Sequence, residues 1–233
     1  MTSPREITAR TFAALDKHLR RASIAQIGGF RPPDDPASSW FGGRFVSLPG
    51  EPWPTWQEQE MLSLLQIRVD ELPYRPSQLD GVALVTVFVD RDDLPYNTPN
   101  GQGWLVRTYP SAAGLVPLPE PGAGSPIRRF PIRWTLCEDE GPDWEDAWRV
   151  VDLSEFNALD RSYMDQFHDR YRNHSGTKVG GWPSLIQYEL SGVGEFVFQI
   201  GSEEKPGWMW GDLGIGYFCL SPNGEWQLVW QCY

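Results

Sequence analysis

Cysteine is scarce in this chain. Cys137, Cys219 and Cys232 are the only three in 233 residues, an odd and widely spaced set that excludes a disulfide framework and points to a reducing compartment. Histidine is equally thin: His18, His168 and His174. The last two stand six apart and so do not share a helical face, and no cysteine pair has zinc spacing. Asp90, Asp92 and Asp93 begin like a calcium loop, but neither the glycine at the sixth position nor the glutamate at the twelfth follows. Neither a metal site nor a cofactor is therefore expected. Catalytic signatures are also missing. There is no Gly-x-Ser-x-Gly elbow and no Walker loop, and nothing in the sequence sets a histidine or lysine beside a cysteine to activate it. The N-terminal residues lack the apolar run of a signal peptide. The longest apolar run, 82–89, has a strand's length and falls far short of a membrane span. A soluble, cytoplasmic, non-catalytic protein is the expectation.

Cations are outnumbered as well. Twenty Lys and Arg face 31 Asp and Glu, for a net charge of −11 and a pI near 4.7. That balance repels phosphate backbones and anionic membrane surfaces, and it steers a basic protein partner inward. What the chain has in excess is tryptophan, 12 residues, a side chain that serves cores and binding surfaces alike. Many aromatics gather in the C-terminal stretch: Trp208, Trp210, Tyr217, Phe218, Trp230 and Tyr233, set among Gly211, Asp212 and Gly216.

The spacing predicts a helix over 4–25. Ser3 caps it, Pro4 takes the first helical position, Glu6 completes a capping box, and Ile7, Phe12, Leu15, Leu19 and Ile24 trace an apolar face. Arg10, Lys17, Arg20 and Arg21 read as its solvated side. The apolar, β-branched runs 61–67 and 82–89 read as buried strands, and 44–48, 103–109, 196–200, 215–220 and 227–232 as further strands. The segments 133–137 and 148–153 read as edge strands, 110–126 as a long loop, and 160–173 as a second helix.

An internal repeat runs through this pattern. The block 42–48, opening on Gly42 and Gly43, resembles 180–186, opening on Gly180 and Gly181. Leu64-Leu65-Gln66-Ile67 resembles Val197-Phe198-Gln199-Ile200, and 85–89 resembles 216–220. The same residues carry a family resemblance. Gly42-Gly43 with Leu48-Pro49, Trp53-Pro54, Leu65-Gln66-Ile67, Gly180-Gly181-Trp182-Pro183, Phe198-Gln199-Ile200, Trp210-Gly211-Asp212 and the closing Trp230-Gln231-Cys232-Tyr233 are similar to the YwqG-like proteins, a bacterial family of unknown function. The resemblance spans about 40–233 and implies an α+β fold with an internal duplication. It implies no catalytic residues. The expected architecture is a single domain of mixed, mostly antiparallel sheets with an N-terminal helix. A first repeat half at about 40–100 and a second at 178–233 would be separated by an insertion at 101–177.

Two candidate sites follow. The acidic stretch Glu138, Asp139, Glu140, Asp143, Trp144, Glu145, Asp146 and Trp148 reads as a partner-binding surface, with Trp144 and Trp148 presented together on a helical turn among like charges. Its expected use is an immunity or inhibitor module that masks a basic partner such as a bacterial toxin; the alternative is an acidic loop whose tryptophans tuck inward. The second candidate is a small-molecule or glycan site, with enzymatic use left open, built from Trp208, Trp210 and Asp212 and flanked by the paired strand glutamines Gln66 and Gln199. Against it stand a turn-fixing role for Asp212 and a role for the glutamines in pinning the sheets.

Overall fold

The computed structural model describes residues 2–119 and 121–233; residue 1 and residue 120, the latter inside the expected 110–126 loop, lie outside it. In chain order the elements are α1 (Pro4–Leu15), β1 (Arg20–Ile27), β2 (Trp40–Phe41), β3 (Val46–Ser47), β4 (Thr55–Trp56), β5 (Gln59–Glu60), β6 (Leu62–Arg68), β7 (Leu84–Val89), β8 (Trp104–Tyr109), β9 (Val116–Pro117) and β10 (Phe130–Glu140). Then follow α2 (Trp144–Val150), α3 (Ser154–Asn157), α4 (Arg161–Arg170), β11 (Lys178–Gly180), β12 (Glu195–Gly201), β13 (Ile215–Leu220) and β14 (Trp226–Gln231).

The capping box at Ser3 and Glu6 forms, and α1 starts where the sequence places it. It ends ten residues early. Leu15 closes it, a 3₁₀ turn over Asp16–His18 follows, and Arg20–Ile27 is a strand, not helix. The reason is non-local. β1 is hydrogen-bonded on both sides, to β10 along its length and to β11 at 22–24, and a ladder of that extent outweighs a weak helical preference. Two further expectations are corrected. The 133–137 segment is no edge: it lies inside β10, an 11-residue strand between β1 and β2. The 148–153 segment is no strand: 148–150 close α2, Val151 caps it and Leu153 leads into α3, with Ala147 and Leu153 buried in the helical core.

The large sheet has ten strands, in the order β14-β13-β12-β11-β1-β10-β2-β6-β7-β8, all antiparallel. It curls into a nearly closed barrel. Its two ends approach across the interior, where Trp104 of β8 meets Phe218 of β13 edge-on at 6.1 Å and Trp230 Nε1 of β14 donates to Pro95 O at 2.7 Å. The main core fills the barrel with Leu65, Ile67, Val87 and Trp104 from one flank and Val197, Phe198, Ile200 and Phe218 from the other. The helices keep a separate core of Leu15, Phe156, Phe167 and Tyr171.

The two flanks are built alike. β2-β6-β7-β8 and β11-β12-β13-β14 lie on opposite sides of the central β1-β10 pair. β6 and β7 slip register between Ser63 and Leu65, and β12 and β13 slip at Phe196 and Phe198. Gln66 accepts from Val46 N and donates to Pro36 O and Ser38 O; Gln199 accepts from Ser184 N and donates to His174 O and Gly176 O. Each partner of Gln199 lies 138 residues after its match (184 − 46, 174 − 36, 176 − 38). The 101–177 stretch supplies β8 and β10 to this same sheet.

Candidate functional site

β11 ends in the turn at Gly180 and Gly181, both at positive φ. A side chain at Gly181 would place its Cβ 1.8 Å from Glu140 Oε2, so only glycine admits this close approach. Glu140, at the end of β10, is fully buried. Its Oε1 accepts from Lys178 Nζ at 2.7 Å and from His174 N at 3.0 Å, and its Oε2 accepts from Trp182 N at 2.9 Å. Lys178 is buried too and also donates to Asn173 Oδ1. Burial pulls the Lys178 ammonium below its ordinary pKa, against the attraction of Glu140. Such a pair is stable only because every charge is bonded. Here it clips the glycine turn to the central strands.

The turn borders a cleft of about 850 Å³ lined by Arg20, Tyr74, Asp146, Arg149 and Trp182 among others. The Arg20 guanidinium lies 3.4 Å from the centre of the Trp182 ring, and the Trp182 indole is fixed by a 2.8 Å bond to His18 O. Asp146, on α2, is 2% exposed. Its Oδ1 is 3.4 Å from the Arg149 guanidinium, while its Oδ2 has no hydrogen-bond partner among the described residues. Burial raises the Asp146 pKa, opposed by the nearby charges of Arg149 and Arg20. Burial likewise lowers that of Arg20, with Asp146 opposing. An unmatched buried carboxylate oxygen costs stability, so a group that can donate to it has a reason to bind.

The acidic stretch is not one solvated patch. Glu140 is in the buried ion pair. Asp143 accepts from Leu185 N at 2.6 Å and is pushed up to about 6 by burial. Asp146 faces the cleft. Glu138, Asp139 and Glu145 remain exposed. Trp144 turns into the helical core, edge-on to Phe167 at 5.1 Å, whereas Trp148 is 39% exposed. Trp208 and Trp210 meet edge-on at 5.1 Å inside the barrel core, and Trp210 is fully buried against Gly216. They form no open stacking platform. Asp212 is exposed, and its carbonyl accepts from Tyr233 N at 3.1 Å. Gln66 and Gln199 are buried pins between a strand and the chain that crosses it.

Sequence reasoning missed Arg20, Tyr74, Arg149 and Trp182 as site residues. Trp182 stood inside a noted glycine turn, the one available signal. Arg20 was masked by the expected helix. Among the described residues no group of three or more His, Cys, Asp or Glu is placed to hold a metal ion, and no helix is long and apolar enough to cross a membrane.

Residues 39–224 match the model of a domain of unknown function, DUF1963, and the chain belongs to that family. A comparison with curated proteins gave no match.

Proposed function

We propose that this chain is a ligand-binding module, that its barrel arose by duplication of one β-rich half, and that its ligand enters the cleft beside Gly180 and Gly181. The observation that carries this reading is a difference between two otherwise matched turns. Gly42 and Gly43 are closed over by Ile127, Arg128 and Arg129, and the Arg129 guanidinium is spent on the Trp40 ring at 3.7 Å. The matching Gly180 and Gly181 are crowded as well, by Tyr74 and Glu140, but they line the cleft. Polar groups converging on a concavity are the usual form of a small-molecule site. The likeness of 40–233 to YwqG-like proteins agrees with membership of a family whose domain has no assigned function. The test is a small-molecule screen read by the indole N–H resonance of Trp182, assigned with Trp182→Phe. Ligands that stabilise the protein should move that resonance. Stabilising ligands that move only the Trp208 and Trp210 signals would return the site to the barrel's aromatic end.

One observation favours a second reading, a cytoplasmic immunity or inhibitor module that binds a basic protein. Trp148 and Leu136 are 39% and 43% exposed, and Glu138, Asp139 and Glu145 are exposed in the same acidic stretch. An aromatic anchor rimmed by charge suits such a contact. Binding that weakens with salt and is lost in Trp148→Ala supports it; a partner indifferent to both rules it out.

A further inference from the structure

We infer that the cleft takes a small organic anion that also carries a hydrogen-bond donor, such as a hydroxylated phosphate ester or carboxylate. This rests on the cleft being the binding site, and it adds the chemistry of the occupant.

Three side chains set that chemistry. Arg20 has one face of its guanidinium committed to Trp182 at 3.4 Å. This fixes the plane of the group and leaves its in-plane N–H donors unused. Arg20 makes no side-chain hydrogen bond and no ion pair within 4 Å among the described residues. Arg149 is held by a single long contact of 3.4 Å to Asp146 and is 57% exposed, so its fork is free to turn. Two planar guanidinium groups with spare donors match the oxygens of a phosphate or carboxylate. Asp146 asks for the opposite partner. It is nine-tenths buried, lines the cleft, and carries one oxygen that nothing among the described residues satisfies. An ionised carboxylate only accepts, so the ligand must bring an O–H or N–H.

Spare donors, not net charge, choose between anion and cation. The lining of the cleft carries two guanidinium groups, Arg20 and Arg149, and two carboxylates, Asp146 and Glu195, so its formal charge is balanced. Glu195 accepts from Gln78 Nε2, and its charge also acts on Arg20. An anion is favoured because the Arg20 fork makes no side-chain hydrogen bond among the described residues and the Arg149 fork makes one long one, whereas each carboxylate already accepts a hydrogen bond. The body of the protein, at −11, repels anions generally. An anion held here is therefore held by this local pair and not by a diffuse field.

The experiment titrates the full chain with four probes and follows the Trp182 indole resonance. The probes are glycerol 3-phosphate (anion with donors), inorganic phosphate (anion alone), glycerol (donors alone) and putrescine (cation). Glycerol 3-phosphate should shift Trp182 at the lowest concentration. Arg149→Lys, which keeps a cation beside Asp146 but loses the planar fork, should weaken that binding about ten-fold. Asp146→Asn should erase the preference for glycerol 3-phosphate over phosphate. If putrescine or glycerol shifts Trp182 and the anions do not, the ligand class is wrong and the cleft stands. If Trp182 is silent to all four, both the class and the cleft are overturned.

Discussion

Replacing Gln66 and Gln199 by methionine, one at a time, tests the matched construction of the two flanks. Methionine keeps the length and apolar stem of glutamine and removes its amide. Each replacement strands one buried backbone N–H and two carbonyls: Val46 N with Pro36 O and Ser38 O in the first flank, Ser184 N with His174 O and Gly176 O in the second. An unsatisfied buried polar group costs about 1–3 kcal/mol. Carbonyls that keep another bond sit at the low end, which gives about 3–5 kcal/mol for either variant. Against a total stability of about 5–15 kcal/mol both variants should fold, with sharply lowered urea midpoints. Tryptophan fluorescence supplies the signal, and equal slopes license comparison of midpoints. The two costs should agree within about 1 kcal/mol, since the bond sets are the same. Hydrogen exchange adds a local check: the amides of Val46 and Ser184 should each lose protection only in their own variant. One large loss paired with one negligible loss would refute the equivalence, and two neutral substitutions would show that the glutamines are not structural.

Asp143 should make the protein less stable as pH rises. Its folded pKa of about 6 lies above its ordinary 3.8, so the folded state holds the proton more tightly. The stabilisation is complete below about pH 4 and is lost on passing pH 6. At 1.36 kcal/mol per ten-fold, its upper limit is about 3 kcal/mol. Asp143→Asn, which keeps an acceptor for Leu185 N, should lack this decline and exceed the parent in urea midpoint at pH 7.5; identical pH profiles would refute the assignment. Lys178→Met leaves the Glu140 charge buried with only two backbone donors and should cost about 3–5 kcal/mol. Adding Glu140→Gln should recover part of that loss, and strictly additive costs in a double-mutant cycle would show that the pair is not coupled.

Much of the barrel was legible in the sequence. β6, β7, β12 and β13 are apolar, β-rich runs between turn residues, and the start of α1 is written in its capping box. β1 was not legible. Leu15, Leu19 and Ile24 continue a helical period, and what makes 20–27 a strand is β10, more than a hundred residues away. β10 itself alternates buried Ile132 and Trp134 with exposed Arg133 and Thr135, a pattern as suited to an edge as to a centre until its neighbours are known. The cleft inherits both difficulties. Arg20 sits at the start of β1, Asp146 on α2 and Trp182 after β11; only the β10-β1-β11 arrangement brings them together. The acids of 138–148 were visible as charge, but charge alone does not tell a solvated carboxylate from the buried ones at Glu140 and Asp146. Tryptophan is just as ambiguous, and Trp208 and Trp210 fell on the core side.

The two glycine turns, each crowded at the glycines themselves, differ in the chain that follows them. After Gly43 the chain enters β3, which pairs with β9; Leu118 N just beyond donates to Phe45 O at 2.8 Å, and Leu118 packs with Trp40, Phe45, Trp53 and Phe88. That loop covers the chain after the first turn, while Ile127, Arg128 and Arg129 crowd its glycines. At the matching place after Gly181, Ser184 takes the position of Val46, and among the described residues no strand pairs with it. Trp182 stands where Arg44 stands in the first flank. It turns toward β1, donates to His18 O and carries Arg20 on its face. One aromatic residue and one missing strand thus replace a packed lid with a charged recess. The recess shares no residue with either glutamine pin or with the Glu140–Lys178 pair, so its lining can vary while the barrel is held unchanged.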